Sequence, residues 1–369
     1  MRLFNSFPVA MVGVVTVLII ATAALALPPS FYEHTVEGNF DGATSIYAID
    51  VDGDGDVDVL GAAVNADDIT WWENDGAENF TEHTIEGDFD GARSVYAADV
   101  DGDGDMDVLG AAEVADDIAW WENDGTPADG GWTKYTIDGS FDGAYNVYAI
   151  DMDSDGDIDV LGAGMNANQI AWWENDGTPN NDNWDKYTID GNFSMTRSVC
   201  AVDVDNDGDI DVLGASSNDS DIAWWKNDGT PNNNDWDKCT IDGSFGMARC
   251  VYAADVDNDG YVDVLGAAYS ADDISWWKND GTPEGGDWTE YVIEGNFDGA
   301  SSVYATDIDG DCDVDILGAA YGDDHITWWE NDGTPLNGGW IKHTVDDDFN
   351  GAVSVFVADI DNDGNMDIL

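Results

Sequence analysis

Apolar residues come in runs of five to seven from residue 31 onward, each bounded by Gly, Asn, Asp or Pro. From Ser94 the runs read SVYAAD, DVLGAA, DDIAWWEND and WTKYTID, with the turn GTPADGG before the last. Short runs rich in β-branched and aromatic residues predict strands, because an amphipathic helix needs a 3.6-residue stripe over a longer span. The unit recurs around an Asp-rich loop that begins at Asp50, Asp99, Asp151, Asp203, Asp255, Asp307 and Asp359, an interval of 49 residues followed by five of 52. Such a period marks a repeat architecture. Four short antiparallel strands per repeat predict an all-β, seven-bladed β-propeller of four-stranded antiparallel blades, and a helical solenoid is excluded.

Blades starting at Ser45, Ser94, Asn146, Ser198, Val251 and Ser302 carry all four runs, whereas the one starting at Ser354 stops at MDIL. The N-terminal FYEHTVEG matches WTKYTIDG, a fourth strand without its first three. It is expected to join the incomplete last blade and close the ring, since an open sheet edge invites association. The absent third run implies a sequence cut short at Leu369 or an imperfect seventh blade.

Tryptophans repeat in the same register, as pairs at Trp71-Trp72, Trp120-Trp121, Trp172-Trp173, Trp224-Trp225, Trp276-Trp277 and Trp328-Trp329, and singly at Trp132, Trp184, Trp236, Trp288 and Trp340. Neighbours on a strand face opposite sides of the sheet, so each pair is expected to fill the gaps on both flanks of a blade. Stacking against sugars is the functional alternative.

The loop itself, D-x-D-x-D-G-x-x-D, carries the chemistry. Its first aspartates are those that set the period. The third positions are Asp52, Asp101, Asp153, Asp205, Asp257, Asp309 and Asp361; the fifth are Asp54, Asp103, Asp155, Asp207, Asp259, Asp311 and Asp363; the ninth are Asp58, Asp107, Asp159, Asp211, Asp263, Asp315 and Asp367. Calcium takes six to eight oxygens, and alternate residues of a tight loop can all point inward. Up to seven structural Ca²⁺ ions are therefore expected; a plain hairpin turn would need only one or two such residues. Position twelve is glycine (Gly61, Gly110, Gly162, Gly214, Gly266, Gly318) where a helical calcium loop carries a bidentate glutamate, so these are not EF-hands. Cys312 stands at the sixth position, where the other copies have glycine.

Charge narrows the partners. The 369 residues include 79 acidic and 10 basic side chains, a formal net charge of −69, which disfavours nucleic acid and anionic membranes. It describes a heavily solvated surface or an acidic binding face. Residues 1–26 read as a secretory signal with cleavage after Ala24-Leu25-Ala26, or alternatively as an N-terminal anchor, because residues 7–27 are uncharged. Residues 27–30 form a linker and 31–369 the propeller, expected outside the cell or at its surface.

FDGA before the first strand, D-x-D-x-D-G-x-x-D after it and V-L-G-A-A on the second strand together resemble the FG-GAP and VCBS repeats, the calcium-binding propellers that include the head of integrin α chains. The resemblance spans residues 31–369 and implies metal in the loop between the first two strands. It says less about function, since that family hosts adhesion modules, lectin-like binders and propellers attached to enzymes.

Further candidates lie on the opposite face. Just before the first strand the copies show Thr44, Arg93, Tyr145, Arg197, Arg249, Ser301 and Val353, so the three arginines share one register position near the channel mouth. They either hold an anionic ligand or pair with neighbouring aspartates. The loops after DVLGAA vary (VNADD, EVADD, MNANQ, SNDSD, YSADD, YGDDH), which suits a binding face or drift at exposed tips. Tyr269, Tyr321 and His325 fall in them. Cys200 and Cys250 are candidates for a disulfide between neighbouring strands. His34, His83 and His343 share a strand position, and no catalytic constellation is found. The expectation is a monomeric, non-enzymatic, secreted calcium-binding propeller for adhesion to an extracellular protein or glycan. Alternatives are a lectin-like carbohydrate binder, a structural envelope module, or part of a polysaccharide-degrading enzyme.

Overall fold

The computed structural model describes residues 31–369 apart from 182 and 287, together with the backbone of Val15–Ile20. The predicted leader (1–26) and linker (27–30) otherwise lie outside the described residues. Six four-stranded antiparallel blades each arise from one repeat, with strands in sequential order. In the second blade they are Ala92–Ala98, Asp107–Ala112, Asp117–Glu122 and Thr133–Asp138, from the channel outward. Every second strand is buried along its whole length, which explains why its sequence does not alternate.

Register fixes which side chains share a face. Tyr96, Leu109, Trp120 and Tyr135 lie abreast across the second blade and pack toward the third. Val95, Val108 and Trp121 face the first. The paired tryptophans thus fill both flanks of each blade as expected, and all twelve are at most 2% exposed. Phe89, from the FDGA linker, meets Trp121 edge-on at 5.0 Å. A Cβ at Gly110 would come within 2.9 Å of Trp121 and 3.0 Å of Phe89, so the glycine at position twelve answers to the tryptophan beside it.

Asparagine joins the blades. The Asn123 side chain donates to the Val51 carbonyl of the preceding blade at 3.1 Å, and Asn74, Asn175, Asn279 and Asn331 make the equivalent bond. Along the channel, Tyr47, Tyr96 and Tyr148 stand ring to ring, as do Tyr252, Tyr304 and Phe356, and Phe356 returns to Tyr47. Cys200 occupies the gap in this collar.

Two expectations are corrected. Phe31–Glu37 does not close the last repeat directly. A composite sheet orders Phe31–Glu37, Val15–Ile20, Asp367–Ile368 and Val357–Ala358, so part of the segment read as a leader stands where a third strand belongs. Leu18 pairs there with Ile368 and Val17 with His34. The sheet packs against the sixth blade through Ile368 and against the first through Leu369. Cys200 and Cys250 are free thiols. They sit at different heights, since Cys200 takes the register position of Tyr252, while the Cys250 sulfur faces the Val303 carbonyl at 3.7 Å.

Trp121→Ala is expected to cost about 3–5 kcal/mol, because it empties a packed inter-blade gap. Asn123→Ala should cost about 1–3 kcal/mol by leaving the buried Val51 carbonyl without its partner. Denaturant melts of both variants check the ranking; equal losses would contradict it.

Candidate metal centres and axial mouth

Each Asp-rich loop turns back through its own carboxylates. Asp50 accepts the N–H groups of Gly53 and Gly55, Asp52 that of Asp54, and Asp54 that of Asp56. The sixth residue bends through the left-handed region, with φ of 99° at Gly55 and 102° at Gly104. Cys312 adopts φ 76° at the same place, a conformation that strains a residue with a Cβ.

The ninth aspartate is the buried member. Asp107 is fully inaccessible, and its two oxygens accept the N–H groups of Val100 at 2.9 Å and Asn123 at 2.8 Å. Burial pushes its carboxyl up to about 7 despite those bonds. The same cause raises Asp58, Asp211, Asp263 and Asp315 to about 7 and Asp159 to about 8.

In the first four loops the first, third and ninth aspartates bring oxygens within 4.8 Å of one another; in the fifth loop the trio is Asp255, Asp257 and Asp259. Asp99 and Asp257 each keep one buried oxygen without a hydrogen-bond partner. All donors are carboxylate oxygens, a set that suits a hard divalent cation. The remaining fifth-position aspartates lie on the exposed side of their loops.

The residue after each tryptophan pair divides the loops into two kinds. Glu73, Glu122, Glu174 and Glu330 bond outward to His83, Tyr135, Tyr187 and His343 at 2.7–2.9 Å. In the fourth and fifth blades a lysine replaces the glutamate and turns into the loop. Lys226 pairs with Asp205, and with Asp207 at 3.2 Å and Glu284 at 2.6 Å. Lys278 pairs with Asp257, and with Asp259 at 2.5 Å. This difference was readable as WWEND against WWKND, but the direction of the lysine was not.

At the opposite end of the channel, the register position singled out in the sequence lines one cavity of about 770 Å³, which holds Arg93, Tyr145, Arg197, Arg249, Tyr269 and Tyr321. Among the described residues Arg93 pairs with the carboxylate of Glu113 at 2.5 Å, and none of the three arginines makes an ion pair with an aspartate. His325 is not among the lining residues; it opens the third strand of the sixth blade, opposite Ala320. The sequence did not single out the Ser and Asn side chains beneath the arginines. Ser94 and Asn146 accept N–H groups from the next blade's inner strand.

No curated protein matches the chain closely enough to count as a relative. Solved structures share its fold at low identity. A protein from Lactobacillus plantarum aligns with a TM-score of 0.55 at 14% identity, covering 92% of this chain and 98% of that one. A protein of unknown function from Desulfotomaculum acetoxidans aligns with a TM-score of 0.56 at 9% identity, covering 88% and 92%. A Bacteroides uniformis protein provisionally assigned as a 6-phosphogluconolactonase gives a TM-score of 0.56 at 13% identity, covering 92% and 98%. In sequence, the FG-GAP-like repeat is matched at residues 50–110, 151–214, 203–266, 255–318 and 307–369. These segments hold the aspartate loops and the buried second strands described above, and the chain belongs to the FG-GAP-like repeat family.

Proposed function

We propose that this chain is an exported, calcium-stabilised propeller that binds an extracellular protein or glycan at its axial mouth, with the composite sheet serving as a seventh blade where the leader is retained. The observation that carries the calcium reading is the recurrent carboxylate trio closing on 4.8 Å around a buried ninth aspartate. Neighbouring carboxylates at such range repel by roughly 3–4 kcal/mol per pair at an effective dielectric near 20. A divalent ion removes that repulsion and gives the buried oxygens a charge to face. The first, third, fifth and ninth aspartates would hold it, and the ion would tie both ends of the loop to the sheet.

Export is the setting in which millimolar calcium is available to such loops. Cleavage after Ala26 would remove Val15–Ile20 from the composite sheet, so a cleaved leader and a third strand are alternative fates of one segment. The binding role rests on a rigid ring that presents variable loops around a cavity, and no catalytic group is assigned to it. A lectin-like role belongs to the same mouth and is separated from protein adhesion by a glycan array.

Calcium loading is uneven in this reading. In the fourth and fifth loops the ammonium groups of Lys226 and Lys278 already pair with two loop carboxylates each, and an ion must displace them. In the glutamate blades a further negative charge stands near the third aspartate and raises its pKa, after burial and the neighbouring aspartate.

Calcium at one hundred times its dissociation constant is expected to stabilise the protein by about 2.7 kcal/mol per filled site. Thermal melts at matched ionic strength, with calcium and with chelator, should therefore differ by many degrees; coincident melts would sink the calcium reading. In equilibrium dialysis the fourth and fifth loops should fill last. The double variant Lys226→Glu and Lys278→Glu should move two ions from the weak class to the tight class, and an unchanged isotherm would show that the lysines do not compete.

A further inference from the structure

The mouth concentrates positive charge that the rest of the molecule lacks. Arg93, Arg197 and Arg249 all line it, and no Asp or Glu is among its lining residues, although the chain carries 79 acidic side chains. Only Glu113 reaches in, to Arg93. Arg197 is held by a hydrogen bond of 2.6 Å to the Tyr145 hydroxyl and lies over that ring at 4.9 Å, with Arg93 near it at 5.3 Å. Arg249 lies over the Tyr269 ring at 3.8 Å, and among the described residues no carboxylate pairs with it.

Arg197 and Arg249 each retain a buried Nε–H with no acceptor. A buried donor left unpaired is costly, and two of them within a cluster of three guanidinium groups are more so. Burial, and after it the nearby Arg197 and Arg93, pull the Arg249 pKa below the usual arginine value. An arrangement kept in this condition fits an acceptor that arrives from outside. Guanidinium groups fixed by aromatic stacking present their forks ready for a planar oxyanion.

The rest of the lining specifies what the anion is attached to. The lining also includes Ser302, Ser354 and Asn350, and Tyr321 lies near Tyr269 at 6.3 Å between ring centroids. Hydroxyl, amide and aromatic groups sharing one lining suit a polyhydroxylated ring better than an apolar body. The volume of about 770 Å³ falls within the roughly 300–1,000 Å³ usual for small-ligand pockets.

We propose that the axial mouth binds a carboxylate-bearing saccharide, its carboxylate taken by Arg197 and Arg249 and its ring lying among Tyr269, Tyr321 and the serine hydroxyls. This rests on the reading of the ring as a binding module and names the ligand class for that site. Arg93 is largely satisfied by Glu113 and contributes long-range attraction rather than a direct bond.

The test is calorimetric titration of the calcium-saturated full chain with glucuronate, glucose and inorganic phosphate. Glucuronate should bind and the neutral sugar should not, with affinity falling as salt is raised. Arg249→Gln should weaken glucuronate about tenfold or more, as expected for losing a hydrogen bond to a charged group. Arg249→Lys should recover part of that loss, since it keeps the charge without the fork. A calcium-dependent melt of each variant establishes that the ring is folded, and keeps failure of this proposal distinct from failure of the calcium reading. Glucose binding as well as glucuronate would overturn the role of the carboxylate. Phosphate binding more tightly than glucuronate would overturn the saccharide, and binding of neither anion would overturn the site.

Discussion

The ring depends on the buried carboxylate at the ninth position of each loop. Asp107 uses one oxygen to hold Val100, near the start of its own loop, and the other to hold Asn123, at the end of the third strand. The side chain of that asparagine then reaches Val51 of the preceding blade. A single acid thus fixes the loop, the end of the third strand and, through one intermediary, the blade next door. Hydrogen bonds to a desolvated carboxylate are stronger than neutral ones, but they do not supply the countercharge that burial demands. The fold therefore places its most costly group at the point of greatest connectivity, which is where a bound cation would have most effect on the whole ring.

Scarcity of positive charge makes the position of each base informative. Lys134, Lys186, Lys238 and Lys342 lie over the Phe and Trp rings of the inter-blade gaps, where their stems cover apolar edges while their heads meet acids. Lys226 and Lys278 enter metal loops. The three arginines meet at the mouth. Every basic residue among the described ones has a fixed structural partner or shares the one cavity, and none is spent on diffuse neutralisation of the surface. The acidic exterior is left to water and salt.

Much of this was legible because each repeat states it again. Strand limits, the turn at the sixth loop position, and the division of each tryptophan pair between two gaps follow from run length and alternation. The arginine register was visible because a repeat aligns residues about fifty positions apart onto one ring. Other features were hidden for equally physical reasons. Val15–Ile20 lies in an uncharged apolar stretch, and such a stretch reads as a leader or as a buried strand with the same residues. The height of Cys200 against Cys250 depends on a two-residue offset around the channel rather than on proximity of blades. Asn123 gave no signal of its own, since asparagine before Asp-Gly is already accounted for as a turn residue. The direction taken by Lys226 and Lys278 is not written in the fourth-strand position that partners the glutamate in other blades, which holds Cys239 in the fourth blade and Tyr291 in the fifth; both ammonium groups meet the carboxylates of their own loops.

The two ends of the channel are built to act separately. Between the aspartate loops and the arginine mouth stands the collar of Tyr47, Tyr96, Tyr148, Tyr252, Tyr304 and Phe356, whose rings touch at 4.7–5.0 Å. Burial, reinforced by neighbouring hydroxyls, raises the pKa of Tyr47, Tyr96 and Tyr252, so the collar carries no charge that would relay one end to the other. The inner strands are the remaining link, each laddered to the second strand of its own blade and tied to the neighbouring blade by single bonds such as that from the Val147 N–H to Ser94. A rigid link of that kind transmits the presence or absence of the fold rather than a graded signal. Calcium at one end would consequently set how much of the ring is intact, and the residues at the mouth would set what the intact ring holds.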